Sequence, residues 1–289
     1  KANSTGNAAN LKLGLQFQMK PGWKIYWRSP GDAGFPPRLN WAGSSNIAKV
    51  KIYWPIPVRF SVLGLETLGY KNEVVLPLEV EIFESGKPIS ARAQVSYLTC
   101  EKICIRYQAK LTLDLPAGPE TNSLEAAIID QFSARVPRQA KRAAILIMSA
   151  EIDGAPGNQQ LRVVASVAGS FIAPDLLVEG PPGFRFGKVR VKILETISGS
   201  GRAIFLATVL PPSQNVKQKM SANLTGMPVT LTVIDGTRAV EQTIHTSRGV
   251  ATVRPVGFDQ AHTTSAVSFT EFLAILGLAL IGGMILNLM

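Results

Sequence analysis

The run Ser96-Tyr97-Leu98-Thr99-Cys100-Glu101-Lys102-Ile103-Cys104-Ile105-Arg106-Tyr107 holds the only two cysteines of the 289-residue chain. Strand-forming residues flank a three-residue loop on both sides, which predicts two antiparallel strands joined by a tight hairpin. Residues directly opposed in such a ladder lie roughly 4.5–5.5 Å apart at Cα, inside the range a disulfide spans. As a staple, a bond closing so small a ring is worth only about 2 kcal/mol by the loop-entropy estimate. A chain of this length buries a core large enough to do without it. A short, loop-borne pair is the kind that cycles between dithiol and disulfide. A structural clip and half of a metal site are the other readings the same residues allow.

Upstream of the hairpin, Leu11-Lys12-Leu13-Gly14-Leu15-Gln16-Phe17 alternates apolar and polar, and Pro21-Gly22 turns into Trp23-Lys24-Ile25-Tyr26-Trp27. Pro30-Gly31-Asp32 and Pro36-Pro37 mark an irregular loop, and residues 74–82, 91–97 and 110–115 again read as strands. Short strands at this spacing predict an immunoglobulin-like sandwich over residues 1–118. Leu124, Ala127, Ile128 and Phe132 recur at helical spacing behind Asn122-Ser123, and Pro137 ends the run. That gives a connecting helix within residues 119–138. Strand patterns resume at 143–148, 160–167, 189–194, 203–209 and 229–235, predicting a second, cysteine-free β-sandwich over residues 139–257. Its lack of a histidine cluster or paired carboxylates points to a spacer or docking surface rather than to chemistry.

Residues 258–268 read as a polar linker, and residues 269–289 as the start of a transmembrane helix. From 272 onward eighteen residues carry no charge, the length needed to cross a bilayer, and Gly277, Gly282 and Gly283 suit packed membrane helices. An apolar run ending at Asn287-Leu288-Met289 is expected to be the front of a longer membrane protein. The polar opening of the chain is expected to be a processed N-terminus. A close cysteine pair ahead of a membrane span places residues 1–268 in an oxidising compartment outside the cytoplasm. The fold class expected is therefore mainly β: two immunoglobulin-like β-sandwich domains followed by a truncated membrane helix.

Composition narrows the function. A formal charge of +10 is spread through short alternations such as Lys188-Val189-Arg190-Val191-Lys192, each reading as one solvated and one buried strand face. Nucleic-acid binding calls for a concentrated basic stripe with a recognisable motif, so no nucleic-acid partner is expected. There is no phosphate-binding glycine loop, nucleophile elbow or zinc-ligand pattern. His245 and His262 read as solvated side chains, Met19, Met148 and Met220 as core packing, and neither a metal site nor a cofactor is expected.

Thiol chemistry remains. A thiolate is favoured by nearby positive charge: Lys102 and Arg106 supply it, Glu101 opposes them, and Tyr97 completes the expected environment of Cys100 and Cys104. The apolar, glycine-hinged segment 63–70, with Leu68, Gly69 and Tyr70, is either a cap over the pair or a loop with core-facing leucines.

The hairpin from Tyr97 to Cys104, the loop Trp27-Arg28-Ser29-Pro30-Gly31-Asp32-Ala33-Gly34-Phe35-Pro36-Pro37, and Gly69-Tyr70 ahead of Leu76-Pro77-Leu78 resemble the periplasmic N-terminal region of the thiol:disulfide interchange protein DsbD family. Within it they look most like the branch called suppressor of copper sensitivity protein B, ScsB. The resemblance implies a transmembrane electron relay in the bacterial inner membrane. Cytoplasmic thioredoxin would reduce a membrane domain, a C-terminal thioredoxin-like domain would take the electrons, and this region would hand them to periplasmic thioredoxin-like or disulfide isomerase proteins. It also implies that Cys100 and Cys104 are the exchanging pair and that Leu68, Gly69 and Tyr70 belong to the cap loop. The chain departs from the best-known member in its shorter cysteine spacing and in having two sandwiches, features the ScsB branch accommodates. A copper-handling module and a non-catalytic interaction module with a structural disulfide are the competing functions.

Overall fold

The computed structural model describes residues 5–249 apart from 7–8, 63, 120–122, 141–142, 198 and 211–222. The linker, the apolar C-terminal run, His262 and Met220 lie outside the described residues. Among the described residues no helix is long and apolar enough to cross a membrane.

Strands β1 (Asn10–Gln18), β2 (Lys24–Gly31), β3 (Arg38–Asn40), β4 (Lys49–Ile52), β5 (Val58–Val62), β6 (Leu65–Lys71), β7 (Glu73–Glu81), β8 (Ile89–Cys100) and β9 (Cys104–Leu115) build the first sandwich. One sheet has the order β1-β7-β4 and the other β3-β8-β2-β6-β5, with β9 laddered along β8. The alternation along β1 sends Leu11, Leu13 and Leu15 inward, against Val80, Leu78 and Leu76 of β7. Ile25, Trp27 and Val95 of the facing sheet complete the core.

β7 does not alternate: Val74, Val75, Leu76 and Leu78 are all buried. Its outer face is covered by helix α1 (Ala126–Ser133), whose Ile129 and Phe132 join the same core. Gly14 of β1 makes room for it, since a Cβ there would lie 2.8 Å from both Ile129 Cγ1 and Val75 Cγ1. The helix thus belongs to the first sandwich. It begins later than its sequence pattern suggests: Leu124, expected on the apolar face, precedes it and is fully exposed, and Ile129 takes the buried position.

The second sandwich comprises β10 (Arg138–Gln139), β11 (Ile145–Asp153), β12 (Gln159–Ala168), β13 (Pro174–Glu179), β14 (Arg185–Phe186), β15 (Arg190–Ile197), β16 (Ser200–Leu210), β17 (Pro228–Asp235), β18 (Arg238–His245) and β19 (Ser247–Arg248). Its sheets run β10-β18-β17-β13 and β14-β16-β12-β11-β19, with β15 also on β16. Leu161, Val163, Phe205, Leu231 and Val233 fill the space between them. Met148, expected in the core, is instead exposed, because the register of β11 slips by one residue between Ile147 and Ser149 and turns it outward.

The sandwiches share one apolar cluster, in which Leu177 of β13 and Ile234 of β17 join Leu68 and Tyr70 of β6. Two arginines of the first sandwich cross to the second. Arg28 of β2 pairs with Glu179 and Glu241, and Arg59 of β5 pairs with Asp175.

Candidate functional site

β8 and β9 remain in register to their ends, so Cys100 and Cys104 face each other as the last pair before the loop. They form a disulfide with the Cα atoms 4.1 Å apart. The loop is closed by the Glu101 amide donating to the Ile103 carbonyl at 3.1 Å, and the Glu101 side chain accepts from the Lys102 amide at 3.0 Å. Ladder geometry alone brings the sulfurs together.

Their environments differ. Cys100 has no exposed surface, while Cys104, Lys102 and Ile103 stand in solvent at the tip of the hairpin. Cys100 belongs to a small apolar cluster with Tyr26, Phe60 and Val62, flanked by Leu98. The Tyr26 hydroxyl donates to Cys100 Sγ at 2.9 Å and lies 3.7 Å from Cys104 Sγ. Burial pushes the Tyr26 phenol above its ordinary pKa, so it stays a donor. Its ring rests against Gly34, whose φ is +118° and where a Cβ would come within 2.3 Å of ring carbons. Only glycine lets the proline-rich loop close this tightly over Tyr26.

Strand alternation divides the remaining expected site residues. Leu98 and Cys100 share one face of β8, so Tyr97 and Thr99 lie on the other. Tyr97 stacks on Tyr107 at 5.7 Å and meets Phe17 edge-on at 5.3 Å, away from the sulfurs. Together with Trp23 these residues line a groove of about 230 Å³ on the reverse face of the hairpin. Arg106 shares the strand face of Cys104 but turns its guanidinium over the Phe35 ring, 5.6 Å from the centroid. Glu101 folds over the Gly22 turn, which a Cβ on Gly22 would place 3.1 Å from Glu101 Cγ.

Leu68, Gly69 and Tyr70, read from the sequence as either a cap over the pair or a loop with core-facing leucines, are part of strand β6. Leu68 and Tyr70 face the shared core of the two sandwiches, and the Tyr70 hydroxyl donates to the Pro55 carbonyl at 2.8 Å. The residues that cover Cys100 lie one strand earlier: Phe60 and Val62 of β5. Sequence reasoning missed them and Tyr26. A signal was present for Tyr26: Ile25-Tyr26-Trp27 has no polar alternation, which means a strand covered on both faces. Among the described residues no three histidines, cysteines or carboxylates are grouped to hold a metal ion.

Residues 2–116 match the family described as thiol:disulfide interchange protein DsbD, N-terminal. The N-terminal periplasmic domain of ScsB from Proteus mirabilis, known from a crystal structure, superposes with a TM-score of 0.64 at 26% identity. This sandwich is a DsbD-family N-terminal domain. The match to the ScsB domain covers 85% of this chain and 92% of that one, a span that neither sandwich fills alone. Residues 135–249 match a domain of unknown function (DUF8393). No curated protein matches the sequence. As a DsbD-family domain with a Cys100–Cys104 disulfide, the first sandwich is a thiol:disulfide exchange domain near the ScsB branch.

Proposed function

We propose that the first sandwich passes reducing equivalents in the periplasm, from the thioredoxin-like domain of a longer inner-membrane protein to periplasmic thioredoxin-like or disulfide isomerase proteins. The observation that carries this reading is the asymmetry of the pair: Cys104 exposed, Cys100 buried with a phenol hydroxyl 2.9 Å from its sulfur. A dithiol that works by exchange needs one sulfur a partner can reach and another held ready to resolve the intermediate.

In the reduced domain, the Cys104 thiolate attacks a partner disulfide. A bond forms between Cys104 and one partner sulfur, and the other partner sulfur leaves as a thiolate. Cys100, deprotonated, then attacks Cys104 Sγ. The Cys100–Cys104 bond forms, and the first partner sulfur leaves. Two electrons and two protons have moved to the partner, and the domain rests in the disulfide state. A dithiol of the thioredoxin-like domain resets it by the reverse sequence. Tyr26 stabilises the Cys100 thiolate in both directions, because a hydrogen bond to a charged acceptor is stronger than one to a neutral sulfur. Ile103, 67% exposed beside Cys104, offers the partner an apolar contact.

The test is equilibration of the protein in glutathione buffers, followed by exchange with a thioredoxin-like protein. The expected potential lies above about −300 mV, the upper limit for structural disulfides. A lower potential, or no exchange with the dithiol protein, overturns the proposal.

A further inference from the structure

The cover over Cys100 comes from a strand with little support of its own. β5 is five residues long and, among the described residues, ladders only with β6 at the edge of its sheet. Alternation sends Phe60 and Val62 toward Cys100 and turns Arg59 to the opposite face. The second sandwich docks on that face. Arg59 Nε donates to Asp175 Oδ2 at 2.7 Å, and Nη2 donates to Asp175 Oδ1 at 3.0 Å and to the Leu176 carbonyl at 2.9 Å. Nη1 pairs with Glu66 on β6. Leu68, the cross-strand partner of Arg59, lies in the cluster that includes Leu177 and Ile234. A planar guanidinium gripped by both oxygens of one carboxylate fixes direction as well as distance. The edge strand is therefore held from behind by the neighbouring domain.

We propose that the second sandwich is a positioning element for the exchange site. Asp175, acting through Arg59, holds Phe60 and Val62 against Cys100 and so sets how readily the Cys100 thiolate departs when a thiolate attacks the exposed Cys104. This rests on the exchange reading above. Asp175 touches neither sulfur and takes no part in bond making. Its effect is on the leaving group: Cys104 is open to attack, but Cys100 departs into a dry site unless β5 moves aside and lets water reach the sulfur, and that movement works against the Asp175 grip.

The experiment measures reduction of the full chain by excess dithiothreitol, for the wild type, Asp175→Asn, Arg59→Met and the double variant. Each single variant is expected to be reduced about five- to tenfold faster, as loss of a charged hydrogen bond lowers the cost of local opening. The double variant is expected to be no faster than the faster single one, since both remove the same link. The acceleration should depend only weakly on urea, which separates local opening from global unfolding. Glu151→Gln, which breaks a pair with Arg162 inside the second sandwich, should leave the rate within about twofold. If Asp175→Asn proves poorly folded, Arg59→Lys reads the same link, because it keeps the charge and loses the two-pronged grip; it too must accelerate reduction. An Asp175→Asn rate matching the wild type, or additive effects in the double variant, overturns the proposal. Failure of the wild type to exchange with a thioredoxin-like protein overturns the exchange reading instead, and leaves the dithiothreitol contrast standing.

Discussion

The Tyr26 hydroxyl and the Cys100 sulfur, 74 residues apart in sequence, meet at 2.9 Å in a site closed to solvent. The contact exists because the ends of β2 and β8 pair, with Lys24 opposite Cys100 and Ile25 opposite Thr99. That pairing fixes where Tyr26 points once Ile25 and Trp27 have taken the core side of β2. Burial costs a thiolate its hydration, and a phenol donor aimed at the sulfur returns part of that loss. On the exchange function proposed above, the buried cysteine is thereby provided for as a leaving group, and the exposed one meets the partner.

Tyr26→Phe removes the donor and keeps the ring against Phe60, 6.0 Å away in the native packing. Loss of a hydrogen bond to a charged sulfur costs about 1.5 kcal/mol, so reduction of the disulfide should slow about tenfold. Because burial holds the Tyr26 phenol above its ordinary pKa, the deficit should stay constant from about pH 7 to 9, below where even an unperturbed tyrosine ionises. Stopped-flow reduction across that pH range is the measurement. An unchanged rate would remove Tyr26 from the mechanism.

The difference in exposure between the two sulfurs makes a second, sharper expectation. Cys100→Ala leaves Cys104 at the surface with no resolving partner, so it should accumulate a mixed disulfide with a thioredoxin-like protein. Cys104→Ala leaves a buried thiol and should trap little. Non-reducing electrophoresis after incubation with the oxidised partner decides the matter, and trapping by Cys104→Ala alone would reverse the roles.

How far the sequence carries depends on the distance over which each feature is determined. The hairpin is local: the cysteine spacing and the flanking strand formers contain its register, and the structure pairs Cys100 with Cys104 accordingly. The alternation of Leu11, Leu13 and Leu15 likewise contains the buried face of β1. The cover is not local. Leu68 and Tyr70 look like cap residues because they are apolar beside a glycine, yet a neighbouring domain supplies their partners, so they turn toward Leu177 and Ile234. Arg28 and Arg59 look like ordinary charges until β13 and β18 bring carboxylates more than a hundred residues away. Tyr97 and Arg106 are near the sulfurs in sequence, but one lies on the wrong strand face and the other is drawn to Phe35.

Gly14 tests the docking of α1. A methyl group there would meet Ile129 and Val75 at 2.8 Å, and overpacking of this kind costs about 1–3 kcal/mol. Gly14→Ala should therefore lower the denaturant midpoint while leaving the rate of disulfide exchange unchanged, since the helix lies on the sheet that does not carry the cysteines. A variant as stable as the wild type would mean that α1 shifts without loss.

Asp235 gives the second sandwich a signature in acid. Burial alone would raise its pKa, but the amides of Ala173 and Ile172 donate to Oδ1 at 2.8 and 2.9 Å and Arg238 pairs with Oδ2. These contacts prevail, and the carboxyl lies below its ordinary range. A depressed folded pKa stabilises the ionised form. The contribution is therefore complete above the unfolded carboxyl value of about 3.9 and is lost as the pH falls through it toward the folded value. Asp235→Asn keeps an acceptor for the amides but loses the charge, at a cost of about 1–2 kcal/mol at neutral pH. Its stability should also decline less steeply in acid than that of the wild type. Urea unfolding of both proteins between about pH 3 and 7, followed by signals from each sandwich, compares the two slopes. Parallel acid limbs would show that Asp235 is equally ionised in the folded and unfolded chain, and that the Arg238 pair adds nothing to the fold.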